Sequence, residues 1–157
     1  MVTGSNRLDL ALASPVVRVS PASMRACAGP SGTVTLTLNL SNLGGEPLSF
    51  RVAETTTLPL GAGAGTPAGP EWDVPWVSEA ITQGTVPAGG ALDIAIAFSA
   101  RPPYNLVGER YMAALVITHN DPLHPGSIVV PAAMAVEAQC RYAIYLQAID
   151  RPARPRH

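Results

Sequence analysis

The chain contains no lysine: all ten cationic side chains are arginine, set against 11 acidic ones for a formal net charge of -1. Charged residues fill only 13% of the 157 positions, so no electrostatic footprint points to nucleic acid or to an anionic membrane surface. Outside the tail the arginines are scattered, and beside the abundant Ala, Gly and Pro they read as coding bias rather than as a binding surface. Aromatic residues make up 5% of the chain, which leaves little material for a broad stacking platform. No apolar run approaches the roughly 20 residues that span a bilayer, which argues against membrane insertion. Met1 to Ser14 lacks the basic start and apolar stretch of a signal peptide. On this reading an exported protein would be present here as a mature form, an excised piece, or a substrate of another route.

Cysteine is equally scarce. Cys27 and Cys140 are the only two, and they allow one bridge or two buried thiols. They stand just before the first long alternating segment and just after the last, so they become neighbours if the first and last strands pair. The motifs of catalysis are missing as well: there is no Gly-x-Ser-x-Gly elbow, no phosphate-binding glycine loop opening a helix, and no His-Glu-x-x-His. Asp9, Glu71, Asp73, Glu109 and Asp150 are isolated carboxylates without the pairing that glycoside hydrolysis needs, and they read as surface charges. His119, Asp121 and His124 form the one tight set of metal-ligand types. An Asp-Pro turn accounts for them better, and no metal, cofactor or catalytic residue is expected.

What the chain does have is hydrophobic material, 47% of its residues, enough to build one core. Its dominant pattern has a period of two, as a strand with one buried face requires. Val34, Leu36, Leu38 and Leu40 alternate with polar residues from Thr33 to Ser41. Leu48, Phe50 and Val52 do the same, then Leu92, Ile94, Ile96 and Phe98, then Tyr111, Ala113, Leu115 and Ile117. In this last strand Met112, Ala114 and Val116 make the second face apolar too, so it is either covered or an interaction face. Ile128, Val130, Ala132, Met134 and Val136 form a further strand, and Pro131 within it places that strand at or near a sheet edge. Gly44-Gly45, Pro87-Ala88-Gly89-Gly90, Pro102-Pro103 and Asn120-Asp121-Pro122 supply turns between these runs. Short strands separated in this way read as an all-β sandwich. The Gly- and Ala-rich stretch from Leu58 to Pro70 reads as a surface loop.

The order of motifs adds a resemblance. Asn42-Leu43-Gly44 with Pro47-Leu48, then Pro75-Trp76-Val77-Ser78, Gly84-Thr85-Val86-Pro87-Ala88-Gly89-Gly90, Gly108-Glu109-Arg110-Tyr111 and Asn120-Asp121-Pro122 resemble the Ig-like repeats of large secreted bacterial proteins. These stand near the BACON domains and, more distantly, the ASPM-SPD2-hydin and major-sperm-protein-like sandwiches. The resemblance covers Pro15 to Val136. It implies an Ig-like antiparallel β-sandwich of seven to eight strands without an active site, placed outside the cell or on its surface. His119 departs from the serine that precedes Asn-Asp-Pro in those repeats, the Leu58–Pro70 loop is longer, and Ser78-Glu79-Ala80 is unusual.

The expected organisation is a tail at 1–14, the sandwich at 15–140, and an extra strand with an Arg- and Pro-rich tail at 141–157. Tyr142, Ile144 and Leu146 alternate, as do residues within Leu8 to Ala13, and either segment would suit addition to a sheet edge. The expected role is structural: the module spaces or packs against adjoining domains or copies of itself. The alternative is a carbohydrate-binding module with Trp72 and Tyr104 as its platform. Trp76, at the position of the conserved family tryptophan, is expected to seal one end of the sandwich instead.

Overall fold

The computed structural model describes residues 14–56 and 74–140, and among them it contains nine strands and no helix. The five alternating segments form the long strands: β3 (Thr33–Asn42), β4 (Leu48–Thr55), β7 (Ala91–Ser99), β8 (Arg110–His119) and β9 (Ser127–Val136). Four short strands complete the fold: β1 (Val17–Ser20), β2 (Met24–Ala28), β5 (Val77–Glu79) and β6 (Gln83–Val86). They pair into a four-stranded sheet, β1-β3-β7-β5, and a five-stranded sheet, β2-β9-β8-β4-β6.

The count of nine exceeds the expected seven to eight because two passes of the chain change sheets midway. β1 pairs with β3 in one sheet, and after Pro21, which has no N–H to continue the ladder, β2 pairs with β9 in the other. β5 and β6 divide in the same way between β7 and β4. Counted as passes, the sandwich has seven. All pairings are antiparallel except β2 with β9, which is parallel.

Between the sheets, Leu38, Leu40, Ile94, Ile96 and Phe98 face Val52, Leu115, Ile117, Val130 and Met134, all of them buried. Full burial of each such side chain contributes about 1.5–3 kcal/mol against conformational entropy. Val34 and Leu36, expected in the same row, are only half-buried. The reason is geometric: β1 covers β3 only at Asn39–Asn42, so among the described residues the first half of β3 lies along an open margin.

Pro131 marks a similar boundary. The Val136 N–H goes to Glu109 O on the β8 side, so the alternate residues 127, 129 and 131 turn their backbone groups the other way. β2 covers β9 only from Ala132 onward, and Pro131 stands where that cover stops. Among the described residues β9 is thus next to the edge over one half and at the edge over the other.

Candidate functional site

Every pass begins or ends at one of two poles, and the polar chemistry collects at the pole where the chain enters. Asn42, the last residue of β3, is fully buried. Its Oδ1 accepts the N–H of Val16 at 3.2 Å and of Gly44 at 3.0 Å. Its Nδ2 donates to the carbonyls of Glu46 at 2.7 Å, Val86 at 3.1 Å and Pro87 at 3.2 Å. One amide therefore joins the incoming chain, the β3–β4 turn and the β6–β7 turn, with its hydrogen-bonding capacity filled. Leu43 N–H to Val16 O at 2.8 Å and Gly45 N–H to Ser14 O at 3.2 Å complete the hold. Gly44 permits it: a Cβ there would collide with Ser14 O and lie 2.6 Å from Val16 N.

Asp121 holds the next residue along. Its Oδ2 accepts the Val17 N–H at 3.0 Å and lies 2.8 Å from His124 Nδ1, and its Oδ1 accepts the Leu123 N–H at 2.8 Å. Burial alone would raise the pKa of this carboxyl. The donors from Val17, His124 and Leu123 outweigh burial and hold the pKa at about 2. His119 Nδ1 takes the Asp121 N–H at 3.2 Å, which puts the proton of the neutral ring on Nε2, a buried atom without a hydrogen-bond partner among the described residues. Burial lowers the His119 pKa, Asp121 opposes that effect, and His124 adds to it.

His119, Asp121 and His124 are thus brought together as a turn and a clasp. Both carboxylate oxygens and the His119 Nδ1 already serve protein donors, and among the described residues no group of three metal-ligating side chains is assembled. The sequence placed Asn120-Asp121-Pro122 in a turn. The tethering of Val17 by Asp121 has no sequence signal, because the two residues are 104 positions apart.

The opposite pole is closed by aromatic rings. Trp76, 3% exposed, packs with its ring centroid 6.3 Å from Phe98 and 6.0 Å from Tyr111, and it closes this end of the core. Tyr104 meets Tyr111 edge-on at 5.4 Å and is half-buried, so one ring of the expected sugar platform is already engaged. Its expected partner Trp72 lies outside the described residues, as do Asp9, Glu71, Asp73, Asp150, the Leu58–Pro70 loop, and the alternating segments at Leu8–Ala13 and Tyr142–Leu146. Every aromatic ring among the described residues is buried or half-buried. Beside Tyr104, Thr33, Pro75, Ser78, Ser99 and Arg101 line a shallow open groove in which Arg101 is the sole charged residue.

Cys27 and Cys140 are joined at this second pole, with their Cα atoms 5.7 Å apart across a sequence separation of 113. The parallel pairing sets Cys27 beside Ala135, and the chain reaches Cys140 four residues after β9 ends. Closing a loop of this size contributes about 4–5 kcal/mol in the chain-entropy model.

The three residues of the expected interaction face divide. Met112 is 63% exposed and Val116 half-buried, but Ala114 is fully buried, in register with Thr55 on one side and Pro131 on the other. Ala114 therefore forms no part of an exposed surface; its single methyl is shorter than the side chains at those flanking positions.

No family model matches the sequence, and no curated protein does. Several solved structures are similar in fold. The ASH / PapD-like domain of human CEP192 (PapD-like domain 7) superposes with a TM-score of 0.56 at 15% identity, covering 80% of this chain and 89% of that one. The CsuC-CsuE chaperone-tip adhesion subunit pre-assembly complex of Acinetobacter baumannii gives 0.56 at 10% identity, covering 78% and 52%. The E. coli chaperone DraB gives 0.53 at 8% identity, covering 79% and 56%. This chain spans about half the length of those chaperones. At these identities the likeness establishes the fold, an Ig-like β-sandwich.

Proposed function

We propose that the chain is a non-catalytic spacing and interaction module of an exported protein, of the kind found as Ig-like repeats in large secreted bacterial proteins, with the module proper at residues 15–140. The observation that carries this reading is the fixing of the chain at both poles. It enters through Asn42 and Asp121 at one and leaves through the Cys27–Cys140 bridge at the other. A module held in this way fixes the separation of whatever flanks it. Export fits the bridge, since disulfides persist in oxidising compartments.

The test is single-molecule energy transfer between reporter domains fused to the two ends. One narrow population, unchanged on adding soluble glycans, is expected; a broad distribution would remove the spacing role.

A second mode of contact, addition of a partner strand, is favoured by the half of β9 that no described strand covers. There Ser127 and Val129 turn their backbone groups outward, next to half-buried Ile128. The partners on this reading are adjoining domains or second copies of the chain. One structure of similar fold is a complex of a chaperone with a tip adhesion subunit, in keeping with a protein-binding role.

A further inference from the structure

Residues 14–28 run the whole length of the sandwich. Val17 lies opposite Asn42 at the first pole, and Ala28 lies opposite Val136 at the second. Because Cys27 is bridged to Cys140, two covalent routes connect Ser14 to Cys140. One follows the polypeptide through the core strands β3–β9. The other comprises only the 13 links from residue 14 to residue 27 and then crosses the S–S bond.

The short route is nearly taut already. Most of it is strand, rising about 3.3 Å per residue, against about 3.6 Å for a fully stretched chain. Tension in a molecule with two parallel covalent routes falls on the shorter one. Without the bridge the same tension would fall on β2 and β9, which are parallel and would be pulled in opposite directions across five register pairs from Met24–Ala132 to Ala28–Val136. Once that contact slid, nothing covalent would restrain the core.

We propose that the Cys27–Cys140 bridge is a tension shunt: pulling on the flanking segments loads β1, β2 and the disulfide, and leaves residues 28–139 outside the force path. This deepens the spacing reading and rests on it for its use, because a spacer in an extended exported protein is loaded along its length. It also explains why the bridge joins the second strand to the segment after the last one, at the pole opposite the incoming chain.

The experiment is force extension of the intact chain between marker domains of known length, first oxidised and then with dithiothreitol, which reduces the bridge to two thiols. The readout is the total contour length of the tether at high force. Beyond the folded span between residues 14 and 140, the oxidised chain is expected to add on the order of 10 Å and the reduced chain about 400 Å. This readout holds even if the reduced protein is unfolded before pulling, because contour length does not depend on how the slack was released.

An extension of about 400 Å from the oxidised protein, or equal lengths in the two states, overturns the proposal. A spacer without a shunt would combine that long extension with a narrow energy-transfer distribution. A shunt without a spacing role would combine the short extension with a broad one.

Discussion

Asn42 makes five hydrogen bonds from one buried amide, and alanine at this position leaves two backbone N–H groups and three carbonyls to find other partners. Each buried group left unsatisfied costs about 1–3 kcal/mol, and the turns can relax around some of them, so Asn42→Ala is expected to cost about 3–5 kcal/mol in urea denaturation. A loss below about 1 kcal/mol would show that water or a shifted turn serves those groups equally well. Asp121 and His119 make the same pole sensitive to acid. The Asp121 pKa is depressed from 3.8 to about 2, so its contribution is complete above 3.8 and is lost as pH falls through about 2. His119 is also depressed in the folded state; its neutral form is the one that fits, and stability begins to fall as pH drops below 6.5, where the unfolded chain takes up the proton first. Asp121 and His124 are the titratable neighbours that act on it. A urea midpoint followed against pH should fall in two stages, and His119→Leu should remove the upper stage while leaving the lower. A single stage unchanged by the substitution would contradict the His119 assignment.

At the scale of elements, the incoming chain and β1 depend on Gly44, whose missing side chain lets Ser14 and Val16 lie against the β3–β4 turn. Gly44→Ala is expected to detach them, so the amides of Val17–Ser20 should lose protection in hydrogen exchange while those in the middle of β7 and β8 keep theirs. Uniform loss across all strands would mean that β1 unfolds only with the whole. The uncovered half of β9 gives a second prediction. Pro131→Val restores an N–H on the margin that β2 leaves bare, and it should raise self-association seen by light scattering at high concentration. An unchanged monomer would show that this margin is closed to partners. The five long strands were legible in the sequence because each carries at least three alternating apolar residues, as in Leu92, Ile94, Ile96 and Phe98. The four short ones were not: Val17–Ser20 and Val77–Glu79 hold too few residues to display a period, and their places are set by pairing with distant strands. The Asn42 turn and the Asn120-Asp121-Pro122 turn were visible as turns. Their convergence on Val16 and Val17 depends on tertiary contacts between residues 26 and 104 positions apart, which local pattern does not carry.

The whole molecule is a body tied at both ends to its own frame, apolar within and closed at the second pole by Trp76. Its stability should depend strongly on the bridge. Reduction is expected to lower it by about 4–5 kcal/mol, read as a shift in the denaturation midpoint at constant slope. The measurement that tests the central claim most directly is a thiol count with peptide mapping on the unreduced, denatured protein. Cleavage after arginine would place Cys27 in residues 26–51 and Cys140 in residues 111–141. No free thiol and one cross-linked pair of these peptides are expected. Two free thiols would contradict that claim, since the second pole would then have no covalent pin and the chain no short route between its ends.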